Sequence, residues 1–248
     1  MSTLFKMTWV ELKLFTREPL TMIFSLAFPL FVLFILAGVF GNTAEPDEPE
    51  WRGVGPTDYY VPAYIALTIA SMGLIALPVH LASYREQGVL RRFRASSVPA
   101  WSIFGSQAIV SFVITAIGSV LLTAFALIAY GTDLPESPAE AGAAFVLGTL
   151  SFVSLGVLLG ALLPTARAAQ GAGLILFFVM MFISGAGPPR EVLSDTMHTL
   201  GDALPLTYVI TLLQDPWLGF GWDVTGSLVV AGILIVSALL SVRFFHWE

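Results

Sequence analysis

Six long runs of apolar residues limit how this chain can fold. A helix needs about 20 residues, at roughly 1.5 Å each, to cross the hydrocarbon of a bilayer. The six runs are about that long or longer, and 56% of all residues are apolar whereas only 11% are charged. The pattern predicts an all-α protein, a single transmembrane domain over residues 1–248, with membrane-spanning helices at Leu20–Phe40, Tyr59–Leu81, Trp101–Tyr130, Ala139–Leu163, Ala169–Ala186 and Val224–Phe244.

The basic residues indicate how such a protein is oriented. Cytoplasmic loops of membrane proteins are enriched in Lys and Arg. With six spans, all eleven Lys and Arg except Arg52 and Arg190 fall on one side, and most acidic residues fall on the other. The sequence therefore predicts a multi-pass protein with both termini in the cytoplasm. Its basic inner face could meet anionic lipid or an acidic protein surface.

A basic segment, Tyr84–Arg94, lies in the predicted cytoplasmic loop 82–100 between the second and third spans. It favours a short helix, because Leu90 and Phe93 can share one face while the arginines spread over the others. Gly88 predicts a bend or a close approach, since glycine lowers helix propensity by about 1 kcal/mol. An ordinary positive-inside loop would also carry arginines, so spacing alone leaves topology and partner docking both open. The docking candidates are Tyr84, Arg85, Glu86, Gly88, Leu90, Arg91, Arg92, Phe93 and Arg94.

The N-terminal segment, residues 1–18, is predicted to be an amphipathic helix on the inner membrane surface. Phe5, Trp9 and Leu12 recur at helical intervals, and basic residues between them can reach head groups or solvent. A simple juxtamembrane anchor is the alternative. Pro19 disfavours helical geometry at the preceding residue, so a hinge is expected at Arg17, Glu18 and Pro19.

The last external region, residues 187–222, is too long for a turn. Arg190–Leu204 could form a short amphipathic helix, and the apolar run Leu206–Leu213 is too short to cross a bilayer. We interpret the region as a re-entrant hairpin between the fifth and sixth spans, because backbone at that depth must be buried in protein or line a cavity. An interfacial cap without a gating role is the alternative. The candidate gate residues are Pro188, Pro189, Leu204, Pro205 and Tyr208.

Elimination removes the common catalytic chemistries. Neither of the two lysines, Lys6 and Lys13, follows a glycine, so the chain has no phosphate-binding P-loop. It has no cysteine, and its three histidines are isolated, which predicts neither a metal site nor a nucleophile with its base. His80 is expected to be a capped or hydrogen-bonded structural residue, and a proton relay is the alternative. The span centres carry no charged residue, which argues against an ion-coupled carrier.

Three motifs, in order and at the right spacing, give the chain a family resemblance. Arg17–Pro19 resembles the Arg-acid-Pro entry to the first span of ABC type-2 exporter permeases, particularly the drug-resistance and lipid-export members. Tyr84–Arg94, followed by Pro99, is similar to their Glu-x-Gly-x-Leu-basic coupling stretch. Ser184–Tyr208 is similar to their final loop.

The resemblance implies six helices per subunit and two separate ABC ATPase subunits. It also implies two permease subunits, expected to form a homodimer, that make a pathway in a prokaryotic plasma membrane. ATP and Mg would be bound by the ATPase, and this chain would bind neither a cofactor nor nucleic acid. The implied function is export of an amphipathic or hydrophobic molecule such as a drug, a lipid or a lipid-linked glycan. An ion-coupled carrier and a non-transporting sensor or assembly subunit remain alternatives.

Two features of the spans bear on that hypothesis. Soft aromatic and methionine side chains in the fifth span could contact a varied apolar substrate, although helix packing explains them as well. They are Phe177, Phe178, Met180, Met181 and Phe182. Gly156 and Gly160 in the fourth span could permit close helix contact, within one subunit or across a dimer.

Overall fold

The computed structural model describes residues 3–17, 19–44, 49–96 and 99–244. Every regular element in these ranges is a helix, which confirms the all-α fold class. Six of the described helices are long and apolar enough to cross a membrane, as predicted. We call them spans one to six, and they comprise Ile23–Phe40, Pro56–Glu86, Trp101–Tyr130, Pro138–Leu162, Ala166–Ile183 and Val224–Phe244.

Span two extends beyond its apolar run at both ends. It begins at Pro56. Proline suits the first turn of a helix because an N–H there would have no intrahelical acceptor, so its absence costs nothing. It ends at Glu86, because the polar residues after Leu81 continue the helix. Tyr84, the first residue of the predicted docking segment, is therefore part of span two.

Two prolines follow π-helical turns in spans one and two. Proline removes a backbone donor, and its ring crowds the carbonyl four residues earlier. For Pro78 that carbonyl belongs to Leu74, which lies inside the π-helical segment Met72–Ala76. Pro29 likewise follows a π-helical segment, Ile23–Ala27. Both spans thus continue through their prolines by local widening rather than by breaking.

Span two is the centre of the helical bundle. In its most apolar 18-residue stretch 89% of the residues are buried, whereas the corresponding figure is 22–28% for spans one, three, five and six. Glycines in spans four and five allow these helices to contact the backbone of span two directly. A Cβ at Gly156 of span four would overlap the Gly73 carbonyl oxygen, and one at Gly173 of span five would overlap that of Leu74. The close contact predicted at Gly156 is confirmed within one chain.

The N-terminal helix, Thr3–Phe15, packs against span three. Its buried Phe15 joins a small apolar cluster with Met72 of span two and Val110 of span three. Phe5 and Trp9 point away from the bundle, with 55% and 66% of their surface exposed. This orientation agrees with an amphipathic helix, and its placement on a membrane surface stays a prediction.

The region between spans five and six contains two helical arms. A 3-10 turn, Arg190–Val192, precedes the helix Asp195–Asp202, so the amphipathic helix predicted over Arg190–Leu204 is shorter than expected. The second arm, Pro205–Trp217, includes the short apolar run and is mostly buried against spans two, four and six. Two consecutive helical arms are therefore present, and a re-entrant hairpin in the outer leaflet stays a prediction.

Candidate functional site

The predicted docking segment forms a sharp turn over residues 86–95, which we call the docking turn. It lies at the end of the bundle that carries Arg85, Arg91 and Arg92, which we call the basic end. After Glu86 the chain turns at Gly88, whose φ of +67° favours glycine, and a second helix occupies Val89–Ala95. The predicted bend is confirmed. The prediction of one helix over Tyr84–Arg94 is wrong, because Tyr84, Arg85 and Glu86 complete span two.

Three charged side chains of this turn face away from the protein. Glu86, Arg91 and Arg92 are exposed, so they are free to meet another surface. Leu90 is fully buried, and Phe93 packs edge-on against Tyr84 with ring centroids 6.1 Å apart. The turn is thus attached to span two by its apolar side and presents its charges outwards. The side chain of Arg94 lies outside the described part of the structure.

Arg85 connects span two to the end of span four. Its guanidinium donates to the carbonyl of Ala161 at 3.0 Å and to that of Leu163. The last carbonyls of a helix lack intrahelical donors and carry the negative end of its dipole, so a cation there satisfies both. Arg85 therefore has partners inside the chain.

The N-terminal helix reaches the same end through Glu11, a residue that sequence reasoning passed over. Glu11 is only 4% exposed. Its Oε1 accepts from the Tyr84 hydroxyl at 2.9 Å, and its Oε2 lies 2.6 Å from His80 Nε2. The prediction that His80 is hydrogen-bonded is confirmed. Arg17 is exposed beyond this helix, Pro19 begins the helical lead into span one, and Glu18 is outside the described residues.

At the opposite, acidic end, the first turns of span two hold the loop that follows span five. The Tyr60 hydroxyl donates to the carbonyl of Gly187 at 2.8 Å, and that of Tyr59 donates to Glu191 at 3.2 Å. Trp51 packs edge-on against both tyrosines. The adjacent tyrosines are a signal of an interfacial aromatic belt that could have marked this contact from sequence.

The predicted gate residues lie in the loop held by the two tyrosines and at the start of the second arm. Pro188 is partly buried and Pro189 is buried next to the tyrosine-held loop. Leu204 precedes the second arm, whose first residue is Pro205. The Tyr208 hydroxyl donates back to the carbonyl of Asp202 at 2.8 Å, which ties the two arms together. Their role as a gate stays a prediction.

Two carboxylates fasten loops at the acidic end. Asp58 accepts from the Asn42 side chain at 3.0 Å and from the Asp133 backbone N–H at 2.9 Å, so span two holds two loops. Asp215, in the second arm, pairs with Arg52 at 2.9 Å. Burial raises the pKa of Asp215, and the Arg52 guanidinium opposes that shift.

Comparison with known proteins identifies the family of the chain. The model of the family described as "ABC-2 type transporter" matches residues 3–218. The chain belongs to this family. It is 26% identical over 208 residues to the "Putative transport permease YvfS" of Bacillus subtilis (strain 168), covering 83% of this chain and 81% of that protein. It is 24% identical over 177 residues to the "Probable multidrug ABC transporter permease YbhR" of Escherichia coli (strain K12), covering 69% of this chain but only 48% of YbhR.

As an ABC-2 permease the chain is a multi-pass membrane protein and a transport subunit. Its candidate substrate-contacting residues in span five do not share one environment. Phe177 is fully buried, and Phe178 packs with it against Phe24 and Phe28 of span one. Met180 and Met181 are also buried, whereas Phe182 is 54% exposed. Packing therefore accounts for the buried members, and substrate contact stays a prediction.

In the described part of the permease, two apolar clefts lie beside span four. One, of about 410 Å³, lies between spans three and four and the second arm, and Val120, Phe145 and Trp217 line it. The other, of about 350 Å³, lies between spans three, four and six, where Phe104 and Leu234 contribute to its wall. Pockets of about 300–1,000 Å³ with apolar walls are typical binding places for small hydrophobic molecules.

Proposed function

We propose that this chain is the permease subunit of an ATP-driven exporter in a prokaryotic plasma membrane, with both termini in the cytoplasm. Two copies of the permease would form the pathway, and two ABC ATPase subunits would dock at the basic end. The ATPases would bind ATP and Mg, so the permease itself would bind no cofactor.

The observation that carries this proposal is the exposed turn at the basic end. Glu86, Arg91 and Arg92 face outwards, while the backbone of the turn continues directly into the central span. Arg85 joins the same helix to span four, and Tyr84 joins it to the N-terminal helix. A force applied to the turn would thus reach three parts of the bundle at once.

The apolar clefts support an amphipathic or hydrophobic substrate, such as a drug, a lipid or a lipid-linked glycan. Their walls are mostly hydrocarbon, and the span centres contain no Asp, Glu, Lys or Arg that could bind a small ion directly. Such charges are usual in ion-coupled carriers. The name of the relative YbhR contains the word "multidrug", which supports drugs as one class of cargo for this chain.

The docking role can be tested by reversing the exposed charges. The permease is co-expressed with an ABC ATPase, which we expect to be encoded in the neighbouring region, and the partner is recovered through a tag on the permease. We expect Glu86→Lys, and the double variant Arg91→Glu with Arg92→Glu, to lose the ATPase while inserting normally. The matched control is Arg167→Glu with Arg243→Glu, which makes the same charge change at exposed positions outside the turn.

Transport is measured in proteoliposomes with two probes, a cationic fluorescent dye and a short-chain fluorescent phospholipid. We expect ATP-dependent movement of at least one probe only when the ATPase is present. Movement driven by an ion gradient without the ATPase would favour a carrier instead. Association without movement of either probe would favour a sensor or assembly subunit, and undiminished recovery of the ATPase by both charge-reversed variants would disprove the docking site.

A further inference from the structure

Glu11, in the second half of the N-terminal helix, carries a buried carboxylate. The amphipathic pattern of this helix would instead predict a solvated carboxylate at this position. Lys6 and Lys13 of this helix are exposed, but Glu11 is turned into the protein. Removing a carboxylate from water is unfavourable unless hydrogen bonds or a counter-charge compensate. The partners of Glu11 therefore decide whether this helix keeps its place.

Those partners come from one face of span two. His80 and Tyr84 are four residues apart, so they project from the same side of the helix, and their rings are 4.3 Å apart. Each approaches a different oxygen of Glu11, at 2.6 Å and 2.9 Å. Both carboxylate oxygens are thus fixed by the last two turns of span two.

Span three contributes a third element. Gln107 is 4% exposed, and its Nε2 makes no hydrogen bond to any described residue. It lines a cavity of about 20 Å³ together with Glu11 and His80. About 10–15 Å³ is enough for one water molecule that has polar partners. A water molecule there could accept from Gln107 and donate to the carboxylate, joining spans two and three to the N-terminal helix.

The same tyrosine also contacts the docking turn. Tyr84 packs edge-on against Phe93, which lies in the helix Val89–Ala95. A continuous row of contacts therefore runs from that helix through Tyr84 to Glu11. Farther along the N-terminal helix Phe15 packs in an apolar cluster, which is a separate attachment.

We infer that Glu11 is a positioning residue, which fastens the N-terminal helix to the end of span two so that the helix moves with the docking turn. The inference rests on the proposed function for its consequence in transport. The fastening itself belongs to the permease alone, and it can be measured without any ATPase.

The test uses spin labels, which suit a chain without native cysteine. Labels are attached to exposed positions in the two helices by Lys6→Cys and Ala95→Cys, and their distance distribution is measured by pulsed electron paramagnetic resonance in nanodiscs. We expect Glu11→Met, which keeps length but removes polarity, to broaden the distribution or add a second population. Glu11→Gln retains an acceptor for Tyr84 and should keep the wild-type distribution. Lys13→Met is the matched control on the exposed face.

A wild-type distribution in Glu11→Met would overturn the inference, because packing alone would then hold the helix. Should Glu11→Met fail to fold, Tyr84→Phe is measured in the same assay, because it removes one hydroxyl and retains the ring. We then expect a broadened distribution in Tyr84→Phe, and a wild-type distribution in that variant would overturn the inference. With the ATPase present, we expect transport per ATP hydrolysed to fall about fivefold or more in Glu11→Met and to be retained in Glu11→Gln, the scale of typical coupling between linked sites. If no ATPase binds the wild-type permease, the proposed function fails while the label measurement still decides the fastening.

Discussion

Substitution of Gly156 by alanine should separate spans two and four at the centre of the bundle. The added Cβ would overlap the carbonyl oxygen of Gly73 and lie 2.7 Å from Leu77 Cδ2, whereas ordinary contact begins at 3.4 Å. The carbonyl is backbone inside the π-helical segment, and Leu77 is fully buried, so neither group can simply rotate away. The helices must therefore move apart.

The size of the effect follows from the cost of overpacking. Inserting one methyl group into a well-packed core costs about 1–3 kcal/mol. In a domain of this size, 1 kcal/mol lowers Tm by about 2–4 °C. We thus expect Gly156→Ala to lower Tm by about 2–12 °C, measured by heating the detergent-solubilised permease and following the folded fraction by size-exclusion chromatography.

The chain offers a control in the same helix. Gly142 of span four has no described heavy atom outside its own helical surroundings within 4 Å of the added Cβ. Gly142→Ala should leave Tm unchanged or raise it slightly, because alanine is the better helix former. Span five offers a second such pair, with Gly173 in backbone contact and Gly171 in open space. Equal Tm values for Gly156→Ala and Gly142→Ala would show that the close approach of spans two and four is not made.

Other contacts lead to further expectations. Arg85→Gln should destabilise the permease by about 1.5–3 kcal/mol, the typical net contribution of a hydrogen bond to a charged group. The exposed Arg92→Gln should change Tm little. Equal Tm values for the two variants would contradict the capping of span four by Arg85. Phe177→Ala should lower the free energy of unfolding by about 3–5 kcal/mol, because it truncates a core side chain. Phe182→Ala should leave Tm unchanged. A transport defect in Phe182→Ala alone would place Phe182 in the pathway. Asp58→Ala should lower the free energy of unfolding by about 1–3 kcal/mol and speed proteolysis within residues 131–137. An unchanged digestion rate would show that Asp58 does not hold this loop.

The six spans could be read from the sequence because their signal is local. A run of apolar residues needs no knowledge of its neighbours to be recognised as long enough to cross a bilayer. The turn at Gly88 was predictable for the same reason, since glycine alone adopts its backbone conformation at little cost. Span boundaries were less certain, as the polar continuation of span two to Glu86 shows.

Which span lies at the centre could not be predicted by hydropathy. Lipid and protein interior are both apolar, so a span facing either has a similar composition. The useful signal was the small residues at Gly156 and Gly160, but their partner on span two is more than 70 residues away in sequence. Glu11 was missed for a related reason: on an amphipathic helix a charged residue indicates a solvated face, and its distant partner His80 appeared isolated.

Span two physically links the two candidate sites. Its 31 residues correspond to roughly 46 Å of helix. Tyr59 and Tyr60, near its beginning, hold the loop after span five, and the docking turn follows its last residue. The glycine contacts with spans four and five lie at the π-helical segment between these ends, where the helix is locally widened. If the docking turn moves as proposed, the movement can pass along the backbone of span two, through this tightly packed segment, to the tyrosines that hold the loop.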